Sequence, residues 1–222
     1  MARGEGMGVP DMDNAIEPLV TLVDDDANVR DAMGNLLNSV GIETVAFGSA
    51  AELFGVTIPD RPGCLVLDVR MPGMSGLDLH RKLTSRGIYS PVVFLTGHGD
   101  ISMSVEAMKA GAFDFLTKPV RDQTFLDAVS KAISSDVARR AEAETVRRFV
   151  ECYESLTQRE RQMLRMVIAG ALNKQIAFDL GISEVTVKLH RSNMMKKMQS
   201  NSVSQLFKAW QALPEKLRLN NG

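Results

Sequence analysis

The sequence predicts an α/β domain, an open and doubly wound parallel sheet, followed by a small all-α domain. Three observations carry this. Over the first 120 residues short, β-rich apolar runs alternate with helical patterns, and beyond Leu156 the strands stop and short capped helices take over. Charge also divides along the chain, with 11 Lys and Arg against 6 Asp and Glu in residues 151–222, and 15 against 21 before them. An acidic half joined to a basic half points to a polyanion as partner of the second half only.

The runs Leu19–Val23, Glu43–Phe47, Cys64–Asp68, Val92–Thr96 and Ala112–Thr117 read as strands. Several are nearly all apolar, as parallel strands covered on both faces should be. Between the first two, Val29, Met33, Leu36, Leu37 and Val40 recur at helical spacing and Gly41 supplies a stop. The strand–helix pattern repeats through five strands, which puts ligands beyond the carboxyl ends of the strands. No Gly or Pro occurs between Pro119 and Gly170, and Phe125, Leu126, Val129, Ile133 and Val137 keep helical intervals, so the last helix of the sheet domain is expected to run into a linker. Ser134–Thr145, dominated by Ala, Arg and Glu, reads as solvated helix with few core anchors. The expected divisions are a disordered extension at 1–17, the sheet domain at 18–135, a helical linker at 136–153 and the all-α domain at 154–222. In the last, Thr157-x-x-Glu160 and Ser202-x-x-Gln205 are capping-box patterns, Ser183 starts another helix, and Gly170 and Gly181 mark breaks. Four helices are expected there.

At 222 residues the chain exceeds the common single-domain size of about 100–150. With 45% apolar and 24% charged residues it has the balance of globular domains. Cys64 and Cys152 stand far apart with no CxxC or Cys/His cluster, so neither a disulfide framework nor a zinc site is indicated, and a reducing cytoplasm is expected. Met1–Pro18 lacks the apolar core of a signal peptide, and no run approaches about 18 apolar residues, so no membrane role is expected.

Asp24 and Asp25 end the first strand, Asp68 the third and Thr96 the fourth, while Lys118 follows the fifth. A doubly wound sheet brings all of them to one edge. Packed carboxylates repel one another, so a hard divalent cation such as Mg²⁺ is expected among Asp24, Asp25 and Asp68, taking oxygens from Asp25 and Asp68. The backbone carbonyl of Arg70 completes its shell, left free by a tight turn through Met71-Pro72-Gly73-Met74-Ser75-Gly76. Such a site receives a phosphoryl group: Asp68 is the candidate nucleophile, with Lys118 and the Thr96 hydroxyl neutralising the transferring oxygens. Val69 and Arg70 offer no general acid or base beside it, which argues against rapid phosphoester hydrolysis and so against a free-standing enzyme.

In the second domain, Leu172 to Arg191 reads as a short helix, a turn holding Gly181 and a second helix, the helix-turn-helix arrangement. On the second helix Val187, Met194 and Met198 share one face, with partial support from His190, which is read as packing or capping. Lys188, Leu189, Arg191, Ser192 and Lys196 fall on or near the other, which can enter a major groove. Lys188 is expected at a guanine edge, Leu189 at a thymine methyl and Ser192 in an adaptable hydrogen bond. Lys174, Thr186, Arg191 and Lys197 are expected at phosphates. An RNA- or protein-binding output remains the alternative.

The stretches Val23-Asp24-Asp25-Asp26, Leu67-Asp68-Val69-Arg70-Met71-Pro72-Gly73, Leu95-Thr96-Gly97-His98-Gly99-Asp100 and Phe113-Asp114-Phe115-Leu116-Thr117-Lys118-Pro119 resemble a response-regulator receiver domain of flavodoxin-like (βα)5 fold. Leu156–Gln162, Asn173–Ala177 and Val185–Arg191 are similar to a LuxR-type helix-turn-helix domain. Together they resemble the NarL/FixJ family of two-component response regulators, with the Thr-Gly-His-Gly-Asp run leaning towards the FixJ side. The resemblance implies a sensor histidine kinase as phosphoryl donor, Thr96 and Phe115 as a switch pair, and a cis Lys118–Pro119 bond. It also implies homodimeric binding of promoter DNA on phosphorylation, with RNA polymerase as a further candidate partner. For Phe115, plain core packing stands as an equal reading. The stripe Val203, Leu206 and Trp210 on the last helix reads either as a dimer surface or as core of its own domain. Leu172 departs from the polar residue such domains often carry there.

Overall fold

The computed structural model describes residues 17–97 and 101–219, the side chains of 101–103 excepted. The expected extension, apart from Glu17, and the residues His98–Asp100 lie outside the described residues. The chain divides into two compact units, up to Arg140 and from Ala141 onward.

The first unit orders β1 (Leu19–Val23), α1 (Ala27–Ser39), β2 (Glu43–Phe47), α2 (Ala50–Phe54), β3 (Gly63–Asp68), α3 (Gly76–Ser85), β4 (Val92–Thr96), α4 (Ile101–Lys109), β5 (Asp114–Thr117) and the start of α5 (Asp122–Glu154). All five strands are parallel, in the order β2-β1-β3-β4-β5. The connection after β1 leads to one side of the sheet and that after β3 to the other, so the topological switch point, where open α/β sheets bind ligands, falls between β1 and β3. Four of the five expected strands start and stop within a residue of the structure; the fifth begins at Asp114 rather than Ala112.

Residue alternation sends each strand into two cores. Leu65, Leu67, Val92 and Phe94 pack with Leu79 and Leu83 of α3. Cys64, Val66, Val93 and Leu95 pack on the other face with Leu37 of α1 and Phe125, Ala128, Val129 and Ala132 of α5. Helix starts follow local chemistry: the Asp26 carboxylate accepts from the Asn28 amide at 2.9 Å, and the Ser75 hydroxyl from the Asp78 amide at 3.1 Å. Gly41, with φ of 78°, closes α1 as expected.

The predicted continuous helix is found: α5 runs through residues 122–154 without a break. Its middle differs from expectation in one respect, because Asp136 is wholly buried. Its Oδ2 accepts from the Gly63 amide at 3.1 Å, and its carboxylate pairs with Arg139 at 2.6 Å and Arg140 at 2.7 Å. Arg140 in turn holds Asp60 at 2.5 Å. This cluster fastens α5 to the start of β3, at the opposite end of the strands from Asp68. A lone acid three and four residues before an Arg pair is the sequence trace of it.

The second unit comprises the end of α5 with α6 (Gln158–Ile168), α7 (Asn173–Leu180), α8 (Glu184–Lys197), α9 (Val203–Ala212) and a short α10 (Glu215–Leu219) that was not expected. Its core gathers Tyr153, Met163, Leu164, Ile176, Val187, Met194, Met198 and Leu206. The Thr157/Glu160 capping box forms with both hydrogen bonds. The Ser202 pattern forms only half a box: Ser202 accepts from the Gln205 amide, but Gln205 reaches the Asn201 amide at 2.8 Å, one residue too early.

Candidate phosphoacceptor pocket and nucleic-acid interface

Strand register brings the first unit's polar residues to one edge. Val23 pairs with Leu67, Asp68 with Leu95 and Thr96 with Thr117, so Asp24, Asp68, Thr96 and Lys118 emerge at one level. The Lys118 ammonium donates to Asp24 Oδ2 at 2.5 Å and to Asp68 Oδ1 at 2.8 Å. The second oxygens are held by backbone: Asp68 Oδ2 accepts from the Arg70 amide at 2.8 Å, and Asp24 Oδ1 from the Asp26 amide at 3.0 Å. Asp24, Asp68 and Thr96 are buried, whereas Asp25 and Arg70 are exposed.

Electrostatics follow from that burial. Desolvation holds the Asp68 carboxyl above the ordinary carboxylate range, and the Asp24 charge adds to the rise, although Lys118 and the Arg70 amide pull it down. Desolvation also pulls the Lys118 ammonium down, but its bonds to the two aspartates outweigh that and hold it above an ordinary lysine.

The turn after Asp68 depends on Gly76. A Cβ there would stand 2.2 Å from the Asp68 carbonyl oxygen, and the Gly76 amide donates to Val69 O at 3.1 Å. Only a residue without a side chain lets α3 start this close to the Asp68 backbone. The Lys118–Pro119 bond is cis, and the Lys118 amide donates to Thr96 O at 2.7 Å, joining the ends of β4 and β5. Phe115 pairs in register with Phe94, two residues before Thr96, so Thr96 and Phe115 rise from one face of the sheet on adjacent strands. Phe115 is half-buried against the neighbouring core.

Among the described residues no three acidic, His or Cys side chains stand close enough to form a ready-made metal cage. The donor chemistry nevertheless suits a hard dication: Asp24, Asp25 and Asp68 carry three negative charges against the one positive charge of Lys118, a deficit of two, and all donors are oxygen.

In the second unit the Ser183 hydroxyl caps α8 by accepting from the Thr186 amide at 3.1 Å, and Gly181, with φ of 63°, makes the turn between α7 and α8. Val187, Met194 and Met198 are buried; Lys188, Leu189, Ser192 and Lys196 are exposed with Lys174. Arg191 is half-buried and donates to Asn173 Oδ1 at 3.0 Å, bracing α7 against α8, and the Thr186 hydroxyl lies 2.9 Å from that of Ser183. Lys197 differs from the expected phosphate contact: its ammonium donates to the buried Glu160 Oε2 at 2.7 Å and to Ser155 O at 3.3 Å. The last-helix stripe is split. Leu206 is buried and the Trp210 ring lies 6.2 Å from that of Tyr153, so both serve their own core, while Val203 and Phe207 are exposed.

An acid-lined sheet edge bridged by a lysine, followed in the chain by a helix-turn-helix unit with a basic exposed face, defines a receiver joined to a DNA-binding output. Residues 20–130 match the model of the response regulator receiver domain, and residues 154–209 that of the bacterial regulatory proteins of the luxR family. The chain is 46% identical over 211 residues to Nodulation protein W of Bradyrhizobium diazoefficiens, covering 95% of this chain and 92% of that protein. It is 43% identical over 190 residues to the transcriptional regulatory protein FixJ of Rhizobium meliloti, covering 85% and 93%. The solved structure of the response regulator StyR matches with a TM-score of 0.80 at 46% identity, covering 88% of this chain and 98% of that one. The chain belongs to the NarL/FixJ family of two-component response regulators, transcription regulators that join a receiver to a LuxR-type DNA-binding domain.

Proposed function

We propose that Asp68 is the phosphoacceptor and that its phosphorylation by a sensor histidine kinase controls dimerisation and sequence-specific binding of promoter DNA. The observation that carries this is the Lys118 ammonium shared between Asp24 and Asp68 at the switch point. An Asp68 oxygen attacks phosphorus, the bond from phosphorus to the donor nitrogen breaks, and an acyl phosphate forms on the carboxylate. Lys118 is placed to follow the new negative charge away from Asp24. The Thr96 hydroxyl turns to the phosphoryl oxygens and Phe115, on the same sheet face, turns inward behind it. Asp25, Asp68 and the Arg70 carbonyl, with Asp24 beside them, would hold Mg²⁺, which supplies charge neutralisation to the transferring oxygens.

Lys188, Leu189 and Ser192 read base edges, with Lys196 beside them and Lys174, Thr186 and Arg191 on phosphates. Lys197 is assigned to packing, because Glu160 already neutralises it. RNA polymerase is the natural further partner of a DNA-bound regulator. A cytoplasmic location suits the buried, unpaired Cys64 and Cys152, and among the described residues no helix is long and apolar enough to cross a membrane.

The test uses the full chain with a small phosphodonor and Mg²⁺ on randomised duplex DNA, read by sedimentation and gel shift, beside Asp68→Asn. Phosphorylated wild type alone is expected to dimerise and to select a two-fold symmetric site. Equal binding by Asp68→Asn would sink the coupling, and selection of RNA over duplex DNA would sink the output assignment.

A further inference from the structure

We infer that Val185 is a specificity residue of the recognition helix, and that with Leu189 it selects pyrimidines bearing a 5-methyl group. This rests on reading α8 as the DNA-contacting helix. Val185 is 76% exposed and Leu189 60% exposed, four residues apart in the first two turns of α8. With each residue advancing about 100° around a helix, Val185 lies roughly 180° from the buried Met194 and within about 60° of Lys188, Leu189, Ser192 and Lys196. It therefore sits at the middle of the outward stripe, opposite the core.

Two adjacent branched apolar side chains held in water, flanked by two exposed lysines, make an unfavourable bare surface and a favourable one against DNA. The lysines suit phosphate and guanine, and the apolar pair suits the one apolar group that a major groove presents, the C5-methyl of thymine. The exposed Lys188 and Lys196 along the same stripe add charge complementarity to a phosphate backbone. RNA lacks that methyl on uracil and hides its major groove, so this stripe favours DNA. Val185 stands outside the hydrophobic core of its unit, so its outward position answers to the ligand more than to the fold.

The experiment takes the site selected by the phosphorylated full chain and replaces each thymine in turn by deoxyuridine, with wild type, Val185→Ala and Leu189→Ala titrated on every duplex. Wild type is expected to lose about fourfold in affinity at one or two positions per half-site. Val185→Ala is expected to lose sensitivity at one of them and to keep its guanine preference, with an unchanged melting temperature. Cytosine at that position is expected to bind better as 5-methylcytosine. If no thymine is methyl-sensitive, or Val185→Ala keeps the wild-type profile, the inference fails while DNA recognition stands; if no duplex sequence is selected, the reading of the output domain fails first.

Discussion

The two edges of the receiver sheet each bury a carboxylate against cations, and they differ in how fully that charge is met. At the N-terminal edge Asp136 meets two arginines and a backbone amide. At the C-terminal edge two buried aspartates share a single lysine, and Asp68 is held above the ordinary carboxylate range by burial. Buried charge that is fully paired fixes structure, and buried charge left in deficit waits for a ligand. The same helix-and-sheet scaffold thus carries a rivet at one end and an under-neutralised acidic pocket at the other.

Removing the rivet is expected to have the largest effect. Asp136→Ala leaves Arg139 and Arg140 without their shared partner and frees the Gly63 amide, and should cost about 3–5 kcal/mol in urea unfolding. A cost under about 1 kcal/mol would erase the contrast between the edges. Gly76→Ala should cost about 2–3 kcal/mol through the clash with the Asp68 carbonyl and slow phosphorylation of the molecules that stay folded. Normal phosphorylation at wild-type stability would show that the turn has slack.

The Glu160–Lys197 pair offers a third, intermediate case in the output unit. Although burial raises the Glu160 carboxyl, the Lys197 ammonium and the Thr157 groups outweigh it and hold it below the ordinary value. Its contribution is therefore full above the unfolded carboxylate pKa and lost as pH falls through the lower folded one. Glu160→Gln should cost about 1–2 kcal/mol near neutrality, with the difference vanishing in acid. A gap that persists in acid would assign it to packing instead.

The smallest effect has the opposite sign. With its folded pKa raised, ionised Asp68 burdens the folded state above that pKa, and the burden disappears below the unfolded one. Asp68→Asn without metal should gain about 1 kcal/mol near neutrality and less as pH falls. Loss of stability instead would mean that the pocket is balanced without a ligand.

The same contrast explains what could be read from the amino acids. Strand positions and the convergence of Asp24, Asp68, Thr96 and Lys118 were legible because apolar runs fix where strands end and parallel topology aligns those ends. The burial of Asp136 was not, because an acid three and four residues before an Arg pair also suits a solvated helix, and the Gly63 amide that it meets lies 73 residues away. The Lys197–Glu160 pair was hidden for a related reason: on the sequence Lys197 is one more cation of a basic helix, and only the fold places buried Glu160 beside it. The outward place of Val185 follows from period alone, but its exposure needed the packing of α8.

Cys64 sits beside the Asp136 rivet, where burial first and the Asp136 charge second push its thiol up to about 12. At pH 7 only roughly one molecule in 10⁵ would carry the thiolate that oxidants and alkylating reagents attack. Burial thus shields this thiol as well as keeping it protonated, and labelling of Cys64 is expected to report the moments when α5 lifts away from β3.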